Sequence, residues 1–166
     1  MEETSDGALA REYLTRAVSD IAKIMFPTGA PTDSMLHVHN SNFKTCGQFA
    51  AVSIVQGGPA PRFLEENVYN MLIDPNVAMG EPSAEKHLTT AEKQILESIA
   101  KDPSTHQDLM IEHGYNGIID TDHISDIVGT VTVSIITRRQ LFLAEFARGL
   151  ELFGLMNAMK FSNHCL

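Results

Sequence analysis

The sequence predicts a mostly helical domain, α+β only in having short strands at its edges. Three observations carry this. Apolar residues recur at spacings of three and four along most of the chain. These stretches open on capping residues and close on glycine or proline. Strand-like alternation is confined to two short segments, 35–39 and 130–136.

Taken in order, Asp6 and Gly7 precede a first helix in which Leu9, Tyr13, Ala17, Ile21 and Ile24 or Met25 share a face. Asp6 can accept a bond from the free amides at the helix start. Phe26-Pro27 ends the helix, because proline disfavours helical geometry in the residue before it. A loop follows over 27–34, and 35–39 is a candidate edge strand. Asn40-Ser41-Asn42 offers caps for a second helix over about 43–56, with Phe43, Cys46, Gly47, Ala50 and Ile54 on one side. Gly47 and Ala50-Ala51 leave little side chain there and invite another backbone to come close. Gly57-Gly58-Pro59 stops that helix. A turn and a short third helix occupy 61–73, and 74–83 is a loop.

Thr89 with Glu92 has the spacing of a capping box at the start of a fourth helix, with Ile95, Leu96 and Ile99 on its buried face. Pro103 separates it from a fifth helix near 105–113, which Gly114 ends. The stretch 122–148 fits both templates. Val131, Val133 and Ile135 alternate with Thr132 and Ser134, yet Ile124, Ile127 or Val128, Val131, Ile135, Phe142 and Phe146 also fit a helical stripe. It reads as mostly helix, with a strand alternative at 130–136. A last helix covers about 150–160.

The chain is 43% hydrophobic and 20% charged, a globular balance. Its formal charge is −9, with no basic cluster, which argues against nucleic acid or an anionic membrane as partner. Cys46 and Cys165 are too few for a disulfide framework or a cysteine-based zinc site. The N-terminal MEETSDGALA lacks the apolar centre of a secretory signal. The longest apolar run, 49–55, is broken by Ser53 and is far too short to cross a bilayer. The expected location is cytoplasmic or nuclear.

Few residues suggest chemistry. His37 and His39 would share a face on a strand, but two imidazoles do not make a metal site. Gly57-Gly58-Pro59-Ala60-Pro61 follows a helix and lacks the Lys-Ser/Thr of a phosphate loop, so a rigid turn is expected. Asp120-x-Asp122 and Glu65-Glu66 sit where helices begin, where capping and the helix dipole explain them. Cys46 reads as a buried structural thiol, and Cys165, beside His164 at the chain end, as an unpositioned one. No catalytic residue, metal site or cofactor is assigned. On these grounds alone a binding or scaffold module is expected.

Three blocks resemble the amino-terminal lobe of a HECT-type ubiquitin ligase domain, most closely the divergent G2/M-phase-specific ubiquitin ligase group. Asp6-Gly7-Ala8 with Arg11-Glu12-Tyr13-Leu14 is similar to that family's entry to its first helix. The most specific block runs from Gly47-Gln48-Phe49-Ala50-Ala51 through Gly57-Gly58-Pro59 to Arg62-Phe63-Leu64, with Val68-Tyr69-Asn70-Met71-Leu72 after it. It resembles the family's glycine-containing helix, its turn and the descent into the next helix. The third, 139–155, carries Phe146, Gly149-Leu150 and Gly154-Leu155 and resembles the end of the lobe's long helix.

The resemblance implies protein ubiquitination by thioester transfer as the parent function. In that family a ubiquitin-conjugating enzyme docks on the amino-terminal lobe, and ubiquitin passes to a cysteine in a separate carboxy-terminal lobe, then to a lysine amine. That cysteine lies in a Thr-Cys-hydrophobic motif. Cys165 follows His164, so the catalytic role is not carried over to it. The chain is expected to be a partial lobe over 1–166, without a catalytic lobe and inactive as a ligase alone. Its counterpart of the docking subdomain is 104–127, where Tyr115, Ile118 and Ile119 are the expected exposed contacts for a conjugating enzyme. The core of a small helical hairpin is their other reading. A non-catalytic interaction module or dominant-negative remnant is the rival function.

Overall fold

The computed structural model describes residues 3–78 and 84–163. These form eight α-helices joined by short 3₁₀ turns, and no strand is present among the described residues. The helices are α1 (Glu3–Met25), α2 (Met35–His39), α3 (Asn42–Val55), α4 (Glu66–Ile73), α5 (Thr90–Lys101), α6 (Gln107–Glu112), α7 (Ile124–Leu150) and α8 (Leu155–Asn163). The mostly helical prediction therefore holds, including the helix reading of 122–148; the edge strand expected at 35–39 falls, and so does the strand alternative at 130–136.

At 35–39 the backbone is helical because Ser34 caps it. The Ser34 Oγ accepts from the His37 amide at 3.3 Å, and the Asn40 amide closes onto the Leu36 carbonyl at 3.0 Å. A strand of this length would need a neighbour to satisfy its amides and carbonyls, and none is at hand. The stretch 130–136 is helical for a related reason. It lies inside α7, where Ile127, Val131, Ile136, Phe142 and Phe146 make one continuous buried stripe, while Val133 points to solvent.

The core is built where α3 crosses α7, the most extensive helix contact in the molecule. Both helices place a glycine at the crossing. A Cβ on Gly47 would run into the Phe146 carbonyl oxygen, and one on Gly149 would meet the Gln48 amide at 2.7 Å and the Gly47 Cα at 2.8 Å. The backbones are thus in direct contact, and the large side chains are displaced to either side. There Phe43 stacks on Phe142 at 5.2 Å between centroids, and Phe26 meets Phe146 edge-on at 5.1 Å. The small-residue face expected from Gly47 and Ala50-Ala51 is this contact. Ser53 is buried on the same helix, donating to the Pro59 carbonyl at 3.0 Å and so tying down the turn after α3.

The stripe predicted for α1 is rotated. Leu14, Val18 and Met25 are buried, whereas Leu9, Tyr13 and Ile24 are 62%, 64% and 64% exposed. The helix also begins at Glu3, so Asp6 lies within it and not at its cap. Two apolar stripes run side by side on α1, and α3 covers only one of them. In α5, Leu96 and Ile99 are buried as expected but Ile95 is 42% exposed.

Around the far side of α7, α4 and α5 are held by one buried guanidinium. Arg139 donates to Met71 Sδ of α4 at 3.6 Å and to the His87 carbonyl at 2.6 Å, and pairs with Glu92 of α5. Glu92 is the acidic member of the predicted capping box. Its Oε2 also accepts from the Thr89 amide at 2.8 Å, while Thr89 Oγ1 accepts from the Glu92 amide at 3.3 Å. A local capping motif has thereby become a tertiary clamp between α5 and α7. By length and composition the stretch Thr121–Phe153 is apolar enough to cross a membrane, a match that no uninterrupted apolar run discloses. Its apolar face is the one covered by α3, α4 and α5, and it carries the buried Arg139.

The two crossing glycines should resist even alanine. Gly47→Ala and Gly149→Ala are each expected to destabilise by about 1–3 kcal/mol. Gly129, in the same helix with open space at its Cβ position, should behave oppositely. Gly129→Ala should stabilise by about 0.5–1 kcal/mol. Denaturant melts of the three variants check this, and equal effects at all three sites would remove the backbone-contact argument. For the clamp, Arg139→Met strands Glu92 and should cost about 3–5 kcal/mol. Thr89→Ala should cost only about 1 kcal/mol.

Candidate functional site

The segment expected to dock a partner begins where α6 ends. Gly114 is left-handed at φ +85°, the conformation a helix C-terminus needs in order to turn out. The Tyr115 amide then bonds the Met110 carbonyl at 2.9 Å. Gly117 leaves a slot into which the Tyr115 ring folds, and the Tyr115 hydroxyl donates to the Ile118 carbonyl at 2.8 Å. Tyr115 is therefore 8% exposed and belongs to the core, as its other reading had it and not as an exposed contact. Ile119 is half-buried against the core, and Ile118 alone is displayed, at 64% exposure. The loop is a rigid support with one apolar tip.

At its far end Asp120 accepts from the Asp122 and His123 amides, both at 3.0 Å, and touches His123 Nδ1 at 2.6 Å. Capping thus accounts for the Asp120-x-Asp122 pair. Hydrogen bonding to His123 holds the Asp120 carboxyl below the usual range, and the same bond raises His123.

A second candidate is the groove between α1 and α3, of about 490 Å³. Tyr13, Ile21 and Ile24 form one wall, Cys46 and Phe49 the other, and Arg16 and Asp20 reach its edge. Tyr13 meets Phe49 edge-on at 6.1 Å. Cys46 is half-buried, less enclosed than a core thiol, and burial pushes its pKa up. A raised thiol is a poor nucleophile at neutral pH.

A third, smaller pocket of about 260 Å³ lies beside α7 and gathers charge. Arg138 pairs with Asp33 at 2.8 Å, Arg139 with Glu92, and His113 Nδ1 meets Ser134 Oγ at 2.9 Å. Sequence reasoning passed over this cluster. Its one visible signal is the Arg138-Arg139 pair interrupting an apolar helix. Two of its three carboxylates, Asp33 and Glu92, are engaged by guanidinium groups and are not free to act as a base; Glu112 is the third. Burial lowers the His113 pKa, with Asp33 and Arg138 acting in opposite senses on it.

The remaining residues fall apart as chemistry. On a helix, His37 and His39 point about 200° apart, and His37 is occupied by Asn42 at 2.8 Å. No group of three or more metal-ligating side chains converges among the described residues. Glu65 is the cap residue of α4 and Glu66 lies in its first turn. Gly57 to Pro61 forms the turn that Ser53 fastens. Cys165 and His164 lie outside the described residues.

The two perturbed histidines have opposite linkage. The stabilising effect of the raised His123 is complete below the ordinary histidine pKa and is lost as pH rises through its folded value. The lowered His113 favours the neutral ring, so stability falls as pH drops through its folded value. Titration of the ring resonances should place His113 and His123 on opposite sides of the ordinary value, and Asp120→Asn should bring His123 back down while leaving His113 in place. No protein-family model matches this chain, and neither a curated protein nor a solved structure is significantly similar to it.

Proposed function

We propose that this chain is a partner-docking helical unit of the HECT amino-terminal-lobe kind, whose parent function is protein ubiquitination by thioester transfer. By itself it docks a ubiquitin-conjugating enzyme and carries no ubiquitin thioester. One observation supports this most. The two longer blocks that carry the resemblance contain Gly47 and Gly149, and these are the residues whose backbones meet at the α3–α7 crossing. Sequence similarity at glycines is weak evidence when each stands alone. It gains weight when the two positions impose one shared packing requirement.

The docking element is the loop after α6, with Ile118 as the projecting contact, Ile119 beside it and Tyr115 beneath as its brace. The charge of −9 and the absence of a basic cluster support a protein partner, without nucleic acid or membrane, in the cytoplasm or nucleus. The rival reading is a non-catalytic interaction module unconnected with ubiquitin. The α1–α3 groove, remote from that loop in sequence, is what favours it.

Amide chemical shifts followed during addition of a set of conjugating enzymes distinguish the two. The ubiquitin reading expects at least one enzyme to shift Gly114 to Ile119, and Ile118→Asp to weaken that binding by about tenfold or more. In a charging assay, ubiquitin should remain on the conjugating enzyme. A complete lack of shifts, or shifts confined to α1 and α3, would overturn the docking assignment. A reductant-sensitive ubiquitin adduct on the chain would overturn its non-catalytic character.

A further inference from the structure

Along α1 one apolar stripe is left uncovered among the described residues, apart from the edge contact of Tyr13 with Phe49. Every residue from Gly7 to Tyr13 is exposed, yet the segment is helical and carries an apolar stripe. Leu9, Tyr13, Ala17, Asp20 and Ile24 fall within about 100° of one another around the helix, with Arg16 at the margin. A lone helix in water is marginal, and its stability comes from burying such a stripe. Something therefore has to cover this face.

The order of residues on the stripe says what. Going outward from residue 18, Arg16 and Asp20 stand at equal distances on either side, and Tyr13 and Ile24 stand at nearly equal distances beyond them. Glu12 and Lys23 flank the same edge in a closely similar mirrored fashion. Neither Arg16 nor Asp20 is ion-paired among the described residues. A second α1 laid antiparallel, with a two-fold axis near residue 18, brings each Arg16 opposite an Asp20 and each Glu12 beside a Lys23. It also sets each Tyr13 against an Ile24. A parallel copy would instead oppose Arg16 to Arg16 and Asp20 to Asp20, which repel.

We propose that α1 is a self-association surface, and that two copies of this chain form an antiparallel, two-fold dimer through the Tyr13–Arg16–Asp20–Ile24 face. With the two-fold near residue 18, residues 11–25 of the two α1 helices overlap, a contact roughly 22 Å long. That places the dimer at the small end of specific interfaces and makes it reversible. Across the groove, Phe49 opposite Tyr13 extends the contact onto α3. The inference does not depend on any link to ubiquitin, since the face lies far along the chain from Ile118.

Sedimentation across a concentration series tests it. The wild-type mass should rise from 18.2 kDa toward twice that value. Arg16→Asp sets one carboxylate against another across the two-fold, and Asp20→Arg sets one guanidinium against another. Each alone should therefore weaken dimerisation by about tenfold or more. Mixed together, these two variants should form a heterodimer, because all the acidic positions then lie on one chain and all the basic ones on the other. The double exchange R16D/D20R restores both pairs and should dimerise like wild type. It keeps the test open if a single variant loses helicity by circular dichroism. A wild type that stays monomeric at every concentration would overturn the proposal, even if a conjugating enzyme then shifted the α1 resonances. So would a dimer indifferent to both single substitutions, or single variants that fail to rescue one another.

Discussion

Gly47 and Gly149 let α3 and α7 touch backbone to backbone, and the remaining architecture is arranged around that contact. With no side chains between the helix axes, the aromatic residues must fill the wedges on either side. Phe26, Phe43, Phe142 and Phe146 do so. The same closeness fixes the register of α7 along α3, and hence the height at which Arg139 leaves the core. α4 and α5 are then positioned by where that guanidinium can reach, through Met71 and Glu92. One steric permission at two residues thus propagates to the helices packed around them.

Charge is used sparingly inside this frame and always in pairs. Arg139 is almost wholly buried, and a buried cation is tolerable only with good partners. Glu92 serves because the capping box already holds it in place, so little extra conformational freedom is lost on forming the pair. Arg138 and Asp33 repeat the arrangement nearer the surface. The pocket between them looks like an acid–base cluster from its residue types alone. Its hydrogen bonds and ion pairs make it a structural tie.

Outward, the molecule presents two unlike surfaces. The loop after α6 is a small rigid tip, with Tyr115 folded beneath Ile118, suited to a shallow contact. The α1–α3 side is long and amphipathic, with opposite charges mirrored about its middle. The first suits a partner of different shape, and the second suits a copy of itself. Both follow from what the core leaves uncovered.

By itself the sequence determined what local chemistry decides. The capping box at Thr89 and Glu92, the left-handed turn at Gly114, the stops at Pro27 and Gly57-Gly58-Pro59, and the small-residue face of α3 all depend on near neighbours in the chain. Each was legible for that reason. Only the tertiary structure decided which of two adjacent apolar stripes on α1 is buried, since both have helical period and the choice rests with α3. It likewise settled 35–39 and 130–136, where short alternation suits a strand only if another strand is there to pair with. It turned Tyr115 inward, because the slot above Gly117 exists only once the loop has closed. The Arg139–Glu92 clamp was hidden for the same reason: its residues stand 47 positions apart and meet only in the folded packing.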